Sequence, residues 1–539
     1  MSDERQTKRA RLDIKDKQDD ADEDDLQALL DGNDFVSEAK REAEAEMRRA
    51  QRRERLRRLG DADSVLSGKG RIEVALQQEE LRPSHTSRPA KLERGDETKP
   101  ILEENNNQES GTESFDMFST TPSPPQKSST KQQQQQQQQQ QGKASTSQSA
   151  RGQGQQDWDD ADGYYNAVIG ECIEVHDSPT SVDPQSVLRF RVDGLIGRGV
   201  FSTVLKVTTL SNPTSLAIPP IVAVKMIRSN ETMAKAAMNE IRFLHQLRDS
   251  RGIIPLLLPT TVNPVEHRGH VMLVFPFSEY NMRDVLQKFG KGVGLSLPAV
   301  RSYFGQLLAA LTHLKKHGII HADLKPDNVL VSGDFSTVHL ADFGSAFEAT
   351  APENQPTPYL VSRFYRAPEI ILGLTPTIAI DLWSLATSVA ELFLGKVLFQ
   401  GKSNNDMLFV FMQHLGAFSN RIIRQHVVQL SKLPTLARQF QTEGTNFVFL
   451  QQTVDSVTGN PIHKCLPLVS TSGMVDRFPS ATPLSNKILR AKSATDTRIE
   501  VQHFADLLQK CLALDPTRRI ALKDALAHEF FRSKKSESS

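Results

Sequence analysis

Residues 321–328 read His-Ala-Asp-Leu-Lys-Pro-Asp-Asn, and Asp342-Phe343-Gly344 stand a short distance further along. Transfer of a γ-phosphoryl group asks for a carboxylate that orients the attacking hydroxyl and accepts its proton, and for oxygen ligands that hold Mg²⁺. Asp323 is the candidate for the first task, and Asn328 and Asp342 are the candidates for the second. Lys325 is placed to neutralise charge on the γ-phosphate, and a lysine there points to Ser or Thr hydroxyls as acceptors. Phe343 is expected to pack and Gly344 to permit the turn.

The nucleotide would need its own cradle. Ile196 leads into Gly197-Arg198-Gly199-Val200-Phe201-Ser202-Thr203-Val204, a Gly-rich turn between two predicted strands whose missing side chains let backbone N–H groups approach phosphates. Ser202 stands where a third glycine is usual, and alone the motif is a weak signal. Lys225, in the apolar run IVAVKMI, strengthens it, because an ammonium on that strand reaches the α/β-phosphates of ATP. A lysine in such a run needs a partner to tolerate burial, and Glu240 on the next helix is the candidate. Phe275-Pro276-Phe277-Ser278 is expected to link the two halves of the site. There the Pro276 carbonyl and the Ser278 N–H would meet adenine while Phe275 walls the pocket. The segment running to Ala367-Pro368-Glu369 is expected to be the activation loop, with Arg519 as the buried partner of Glu369. Asp381 is expected to accept hydrogen bonds from the amides of the 321–328 loop.

These residues must be positioned by two kinds of structure. From about residue 187, VLRFRVDGLIGRGVFSTVLKVTTL alternates apolar and polar residues and predicts a small antiparallel sheet. ETMAKAAMNEIRFLHQL has helical periodicity. After HVMLVFPF the pattern turns mainly helical, including AVRSYFGQLLAALTHLKKHG and IAIDLWSLATSVAELFLG. The fold class is α+β: a β-rich lobe over about 187–277 and an α-rich lobe over about 278–532, with a ligand cleft between them.

The rest of the chain is less specific. Its 539 residues carry 65 acidic and 65 basic side chains, so charge exerts no global pull toward nucleic acid or membrane. Cys172, Cys465 and Cys511 are scattered, which argues against a disulfide framework or a zinc site. The apolar h-region of a signal peptide is missing at the start, and no apolar stretch is long enough to span a bilayer, so a soluble intracellular protein is expected. Residues 1–156 are polar, with a Gln run at 132–141, and are expected to be a disordered tail. Within it, Ser37–Gly60 has strong helix formers and Glu-to-Arg pairs at helical spacing, consistent with a solvated helix or an RNA- or protein-docking one. Lys8-Arg9-Ala10-Arg11 is compatible with nuclear import. Residues 533–539 form a short C-terminal tail.

Over about 190–532 the chain resembles the eukaryotic protein kinase superfamily, and the CMGC group through SRFYRAPE (Ser362–Glu369) and an extra segment at about 418–490. HADLKPDNVLV, ADFGSAF, TPYLVSRFYRAPEIILG and LFQGKSNNDML are similar to the pre-mRNA-processing factor four kinase family. So is DWDDADGYYNAVIGECI, which marks 157–186 as a family-specific extension ahead of a kinase domain at 187–532. The resemblance implies a nuclear, monomeric Ser/Thr kinase using ATP and Mg²⁺, with spliceosomal proteins, including tri-snRNP components, as substrates. It also implies that Tyr359 is an activation-loop phosphotyrosine, with Arg363 and Arg366 nearby as phosphate partners. Two positions depart from the general kinase pattern. Ala322 replaces an arginine, as it does in the resembled family, and Ala386 replaces a glycine. A catalytically silent scaffold on splicing complexes is the alternative reading, and RNA binding by the tail is compatible with either.

Overall fold

The computed structural model describes residues 158–176, 187–211, 218–258, 264–351, 358–454, 460–468 and 483–532, together with Lys40 and Glu44. The expectations for the 1–156 tail with its Gln run, for the basic cluster at 8–11 and for 533–539 lie outside the described residues. Of the 37–60 segment only Lys40 and Glu44 are described, both helical.

The N-terminal lobe is a six-stranded antiparallel sheet in the order β1-β2-β3-β4-β6-β5. Its strands are β1 (Cys172–His176), β2 (Val187–Arg198), β3 (Ser202–Ser211), β4 (Ile221–Ile227), β5 (Glu266–His267) and β6 (His270–Pro276). Alternation sends Phe190, Val192, Leu205, Val207, Val222 and Val224 into one core, as a period of two requires. The extension ahead of the lobe joins this sheet: β1 pairs with β2, and Ile173 and Tyr165 are buried in the same core. Helix α1 (Glu231–Gln246) starts at Asn230, whose side chain accepts the amides of Thr232 and Met233, a favourable N-cap. Ala237, Glu240, Ile241 and Leu244 all lie on its buried face, so helical spacing places the one carboxylate among them inside the lobe.

The C-terminal lobe is built on helices α2 (Met282–Phe289), α3 (Leu297–Lys316), α4 (Pro368–Ile371), α5 (Ala379–Leu394), α6 (Asn404–Leu415), α7 (Asn420–Lys432), α8 (Leu484–Arg490), α9 (Arg498–Cys511) and α10 (Leu522–Leu526). Every residue of α5 from Ile380 to Leu394 is buried, its polar side chains gathered on one side, where Asp381, Ser384 and Glu391 make hydrogen bonds within the lobe. It stops at Gly395, where φ is +70° and an added Cβ would lie 2.5 Å from the Gly294 nitrogen; only glycine accommodates both constraints. Short strands β7 (Tyr280–Asn281), β8 (Ile319–Ile320), β9 (Val329–Val331), β10 (Val338–Leu340) and β11 (Phe347–Glu348) make two small sheets at the cleft, β10-β9-β7 and β11-β8.

One architectural feature differs from the mainly helical reading of this half. The 418–490 segment carries a three-stranded antiparallel sheet, β12 (Phe440–Glu443), β13 (Asn446–Val454) and β14 (Pro461–Pro467). Its longest strand, β13, has a consecutive apolar run, Phe447 to Leu450, instead of a clear alternation. Tertiary contacts hold the sheet: Phe440 packs on Phe418 and Phe449, while Asn405 donates to the Leu450 carbonyl at 2.8 Å and accepts the Gln452 amide at 2.7 Å.

Candidate active site

Lys225 lies on β4 and Glu240 on α1. Its ammonium donates to both oxygens of Glu240 and to Oδ1 of Asp342, each at 2.8 Å, so one cation joins the two lobes. Burial works to lower the Lys225 pKa, but the two carboxylates outweigh it and the net direction is upward. The same cation is the main reason the Asp342 carboxyl falls to about 2 against its own desolvation. For Glu240, burial raises the pKa and Lys225 opposes; with two hydrogen bonds from a lysine held charged, an ionised Glu240 is the consistent state.

The 321–328 loop is fixed by the strands at its ends. β8 precedes His321 and pairs with β11, while β9 follows Asn328 and pairs with β10 in a register that sets Leu340 opposite Val329. The Ala341 amide donates to the Asn328 carbonyl at 2.9 Å, which brings Asp342 alongside Asn328. Asp381, fully buried on α5, accepts the His321 amide at 2.7 Å and the Ala322 amide at 2.9 Å. Ala322 and Asp342 both have positive φ, 61° and 64°, strained for residues with a Cβ, and the first is held there by Asp381. His321 accepts the Asp323 amide at Nδ1 and sets Nε2 3.1 Å from the Ala341 carbonyl, an arrangement met by the Nε2–H tautomer. Its ring meets Phe343 edge-on at 4.8 Å.

Three side chains converge on the Asp323 carboxylate. Lys325 Nζ donates to Oδ2 at 2.8 Å, Asn328 Nδ2 donates to Oδ2 at 3.0 Å, and Ser362 Oγ donates to Oδ1 at 2.7 Å. Lys325 also reaches Ser362 Oγ at 3.2 Å. Asn328 directs its amide hydrogens to Asp323, including the backbone carbonyl at 2.8 Å, which leaves its oxygen as the atom suited to a cation. The Asp342 side chain is 47% exposed.

The Gly-rich turn joins β2 and β3, closed by the Gly199 amide on the Ser202 carbonyl at 2.9 Å. A Cβ added at Gly197 or Gly199 would meet no protein atom within 4 Å, so neither position is crowded by the protein. Ile196, Arg198, Val200 and Phe201 are solvent-exposed or partly so, and Val204 is half-buried; Ser202 and Thr203 are buried, and Thr203 Oγ1 has no partner among the described residues. The last two could therefore offer a ligand only backbone. Phe275 and Pro276 close β6, opposite Ala223 and Val222 of β4. Ser278 turns its hydroxyl to the Tyr280 and Val331 carbonyls at 3.0 and 2.7 Å.

The model of the protein kinase domain matches residues 190–531. The chain belongs to the protein kinase family. It is 34% identical to the serine/threonine-protein kinase prp4 of Schizosaccharomyces pombe over 426 residues, 78% of each chain. With the serine/threonine-protein kinase prpf4B of Dictyostelium discoideum it shares 36% identity over 70% of this chain and 42% of that longer relative. Likeness to the homeodomain-interacting protein kinase 1 of Caenorhabditis elegans is lower, 30% over 64% and 40% of the two chains. The protein is accordingly a Ser/Thr protein kinase of the prp4 family, and a kinase domain uses ATP, typically with Mg²⁺.

In this kinase the activation segment is described except for 352–357. Tyr359 is 74% exposed, and the Arg366 guanidinium stands 5.9 Å from its ring centroid. Arg366 itself is buried; it donates to the carbonyls of Tyr359, Leu360 and Val361 and to Asn404. Desolvation, helped by neighbouring Arg363, brings its pKa down to about 10. Arg363 donates to the Lys402 carbonyl at 2.9 Å. Below the segment, Arg519 pairs with Glu369 through two hydrogen bonds, one at 2.6 Å, both side chains being 1% exposed.

Sequence reasoning missed three contributors. Ser362 sits inside the quoted SRFYRAPE run, yet its hold on Asp323 and Lys325 spans 39 and 37 residues. Arg283 donates to Asp327 at 3.0 Å and to the Tyr365 hydroxyl at 2.7 Å, and also to Glu391, which accepts from Tyr365 at 2.7 Å. This partly buried network anchors the 321–328 loop through Asp327. Asn404, next to the activation segment through Arg366 and the Pro358 carbonyl, carried no signal beyond the resemblance of its segment.

Proposed function

We propose that this kinase phosphorylates Ser and Thr residues of pre-mRNA splicing proteins, and that it does so in the nucleus. The observation that supports the chemistry best is the convergence of Lys325, Asn328 and Ser362 on Asp323. In this reading Asp323 orients the acceptor hydroxyl and takes its proton as the new P–O bond forms and the bond to the ADP oxygen breaks. Lys325 faces the charge that develops on the transferred group. Asn328 and Asp342 would hold Mg²⁺, which neutralises phosphate charge when bound; the oxygen of one and the partly exposed carboxylate of the other suit a hard cation.

Lys225, oriented by Glu240, and the open glycines at 197 and 199 would hold the phosphates. Pro276 and Ser278 would present backbone to adenine, with Phe275 behind it. Asp381, Glu369 and Arg519 support the loops. The scaffold alternative rested on Ala322, yet that residue's amide is held by Asp381 and the carboxylate beyond it is fully dressed. The proposed domain boundaries follow: an extension at 157–186, then the kinase domain at 187–532.

Kinship with the prp4 kinases supports splicing substrates, and tri-snRNP components are the acceptors to try first. Radiolabelled transfer by the full chain into a nuclear spliceosomal fraction is expected to label discrete proteins on Ser and Thr. Labelling equal to that by an unrelated kinase would remove the splicing assignment. Exposed Tyr359 beside Arg366 is proposed as an autophosphorylation site that orders the activation segment; mass spectrometry of the active protein with Tyr359 unmodified would remove that element.

A further inference from the structure

The segment 158–166, ahead of β1, runs across the top of the N-terminal lobe and reaches the Gly-rich loop. Its inner side is anchored: Asp159 bonds His270 at 2.6 Å, the Trp158 ring stacks under Arg268 at 3.3 Å, and Tyr165 is buried with its hydroxyl between Glu171 and Arg268. Its outer side holds the loop. The Tyr164 hydroxyl donates to the Val200 carbonyl at 3.0 Å, at the tip between Gly199 and Phe201. The Arg198 guanidinium lies 3.9 Å above the Tyr164 ring and pairs with Asp160, while Arg228 covers the ring at 4.9 Å.

The segment is also braced for this contact. Asp160 Oδ1 accepts the amides of Asp162 and Tyr164 at 2.9 and 3.0 Å. The Gly163 carbonyl accepts the Ser229 amide at 2.8 Å, and the Arg228 amide donates to the Phe201 carbonyl at 3.0 Å. The Asp160 carboxyl lies below its usual range, first through the Tyr164 amide and also through Arg198. Neighbouring tyrosines thus divide the work, Tyr165 inward into the core and Tyr164 outward onto the loop.

We propose that Tyr164 and Asp160 are positioning residues for the nucleotide: through Val200 and Arg198 they hold the Gly-rich loop in the conformation that receives the phosphates of Mg-ATP. A loop ordered in advance spares the entropy otherwise lost when ligand arrives, so the contribution falls on nucleotide affinity. The inference rests on reading Gly197–Val204 as the phosphate-covering loop.

The test is calorimetric binding of Mg-ATP to the full chain, with kcat, peptide KM and thermal midpoint measured on the same preparations. Tyr164→Ala is expected to weaken Mg-ATP about tenfold. Tyr164→Phe, which keeps the ring between the two guanidiniums and loses only the hydrogen bond, is expected to weaken it about threefold, the scale of one such bond. Asp160→Asn is expected to match the Phe variant, with peptide KM unchanged throughout. Unaltered Mg-ATP affinity in folded Tyr164→Phe and Asp160→Asn overturns the proposal, as does an equal rise in peptide KM. Gly199→Asp separates the two layers, because a Cβ there meets no protein atom within 4 Å and the added charge repels phosphates held by the turn. If it weakens Mg-ATP while the Tyr164 variants do not, only the positioning role falls; if it too is neutral, the reading of the loop falls with it.

Discussion

The loop at 321–328 is held from within the C-terminal lobe by buried charge, whereas the Gly-rich loop facing it is held from outside by the chain that precedes the lobe. Asp381 lies under the first loop, and the Arg283, Tyr365 and Glu391 network supports it through Asp327. The second loop exposes Val200 and Phe201 and is tied by one hydroxyl, one stacked ring, one surface ion pair and the Arg228 amide on the Phe201 carbonyl. Surface pairs contribute little, while a buried carboxylate that loses its partners costs several kcal/mol. The difference fits two tasks. On the proposed function, geometry around Asp323 must not move during transfer, but a loop over a nucleotide must open to release product.

Perturbing the buried side should give the largest effect. Glu369→Gln removes the charge facing Arg519 in a site that is 1% exposed on both sides. A loss of about 3 kcal/mol in denaturant unfolding is expected. A loss below about 0.5 kcal/mol would mean that buried charge does not hold this lobe as the comparison states.

The sequence carried unequal amounts of these two halves. Asp323, Lys325, Asn328 and Asp342 could be named as candidates because phosphoryl transfer asks for their types and spacing, and the lobes were legible because strand and helix periods differ plainly. What remained hidden depends on folding distant segments together. Ser362 acts on a residue 39 positions away. Tyr164 reads as one more tyrosine until the chain lays it on Val200. The sheet at β12-β13-β14 is held by Asn405 and three phenylalanines, and pattern alone could not supply those contacts.

A smaller effect tests the rigid half at the carboxylate itself. Ser362→Ala removes one donor to Asp323 and a neighbour of Lys325. Steady-state kinetics are expected to show kcat falling about tenfold, the scale of a hydrogen bond to a charged group, with KM for ATP unchanged. A change confined to KM for ATP would blur the division between the two loops.

The smallest expected effect is acid dependence at the junction between them. Asp342 is lowered to about 2 by Lys225, against an unfolded value of about 3.9. A depressed carboxyl contributes stability that is fully present above the unfolded pKa and is lost as pH falls through the folded one. Because the Asp342 side chain is 47% exposed, solvent screens the pair and the contribution is small. The unfolding midpoints of the wild type and Asp342→Asn should differ by a constant amount from pH 7 to 5 and converge between about pH 4 and 2. Convergence already complete at pH 5 would contradict the assignment.

The most direct measurement is single-turnover phosphoryl transfer by Asp323→Asn, with Mg-ATP affinity determined on the same protein. Affinity is expected to stay within about twofold while the transfer rate falls by about 10² to 10⁴, the range of a lost general base. Transfer at the wild-type rate by a folded Asp323→Asn protein would contradict a general-base role for Asp323.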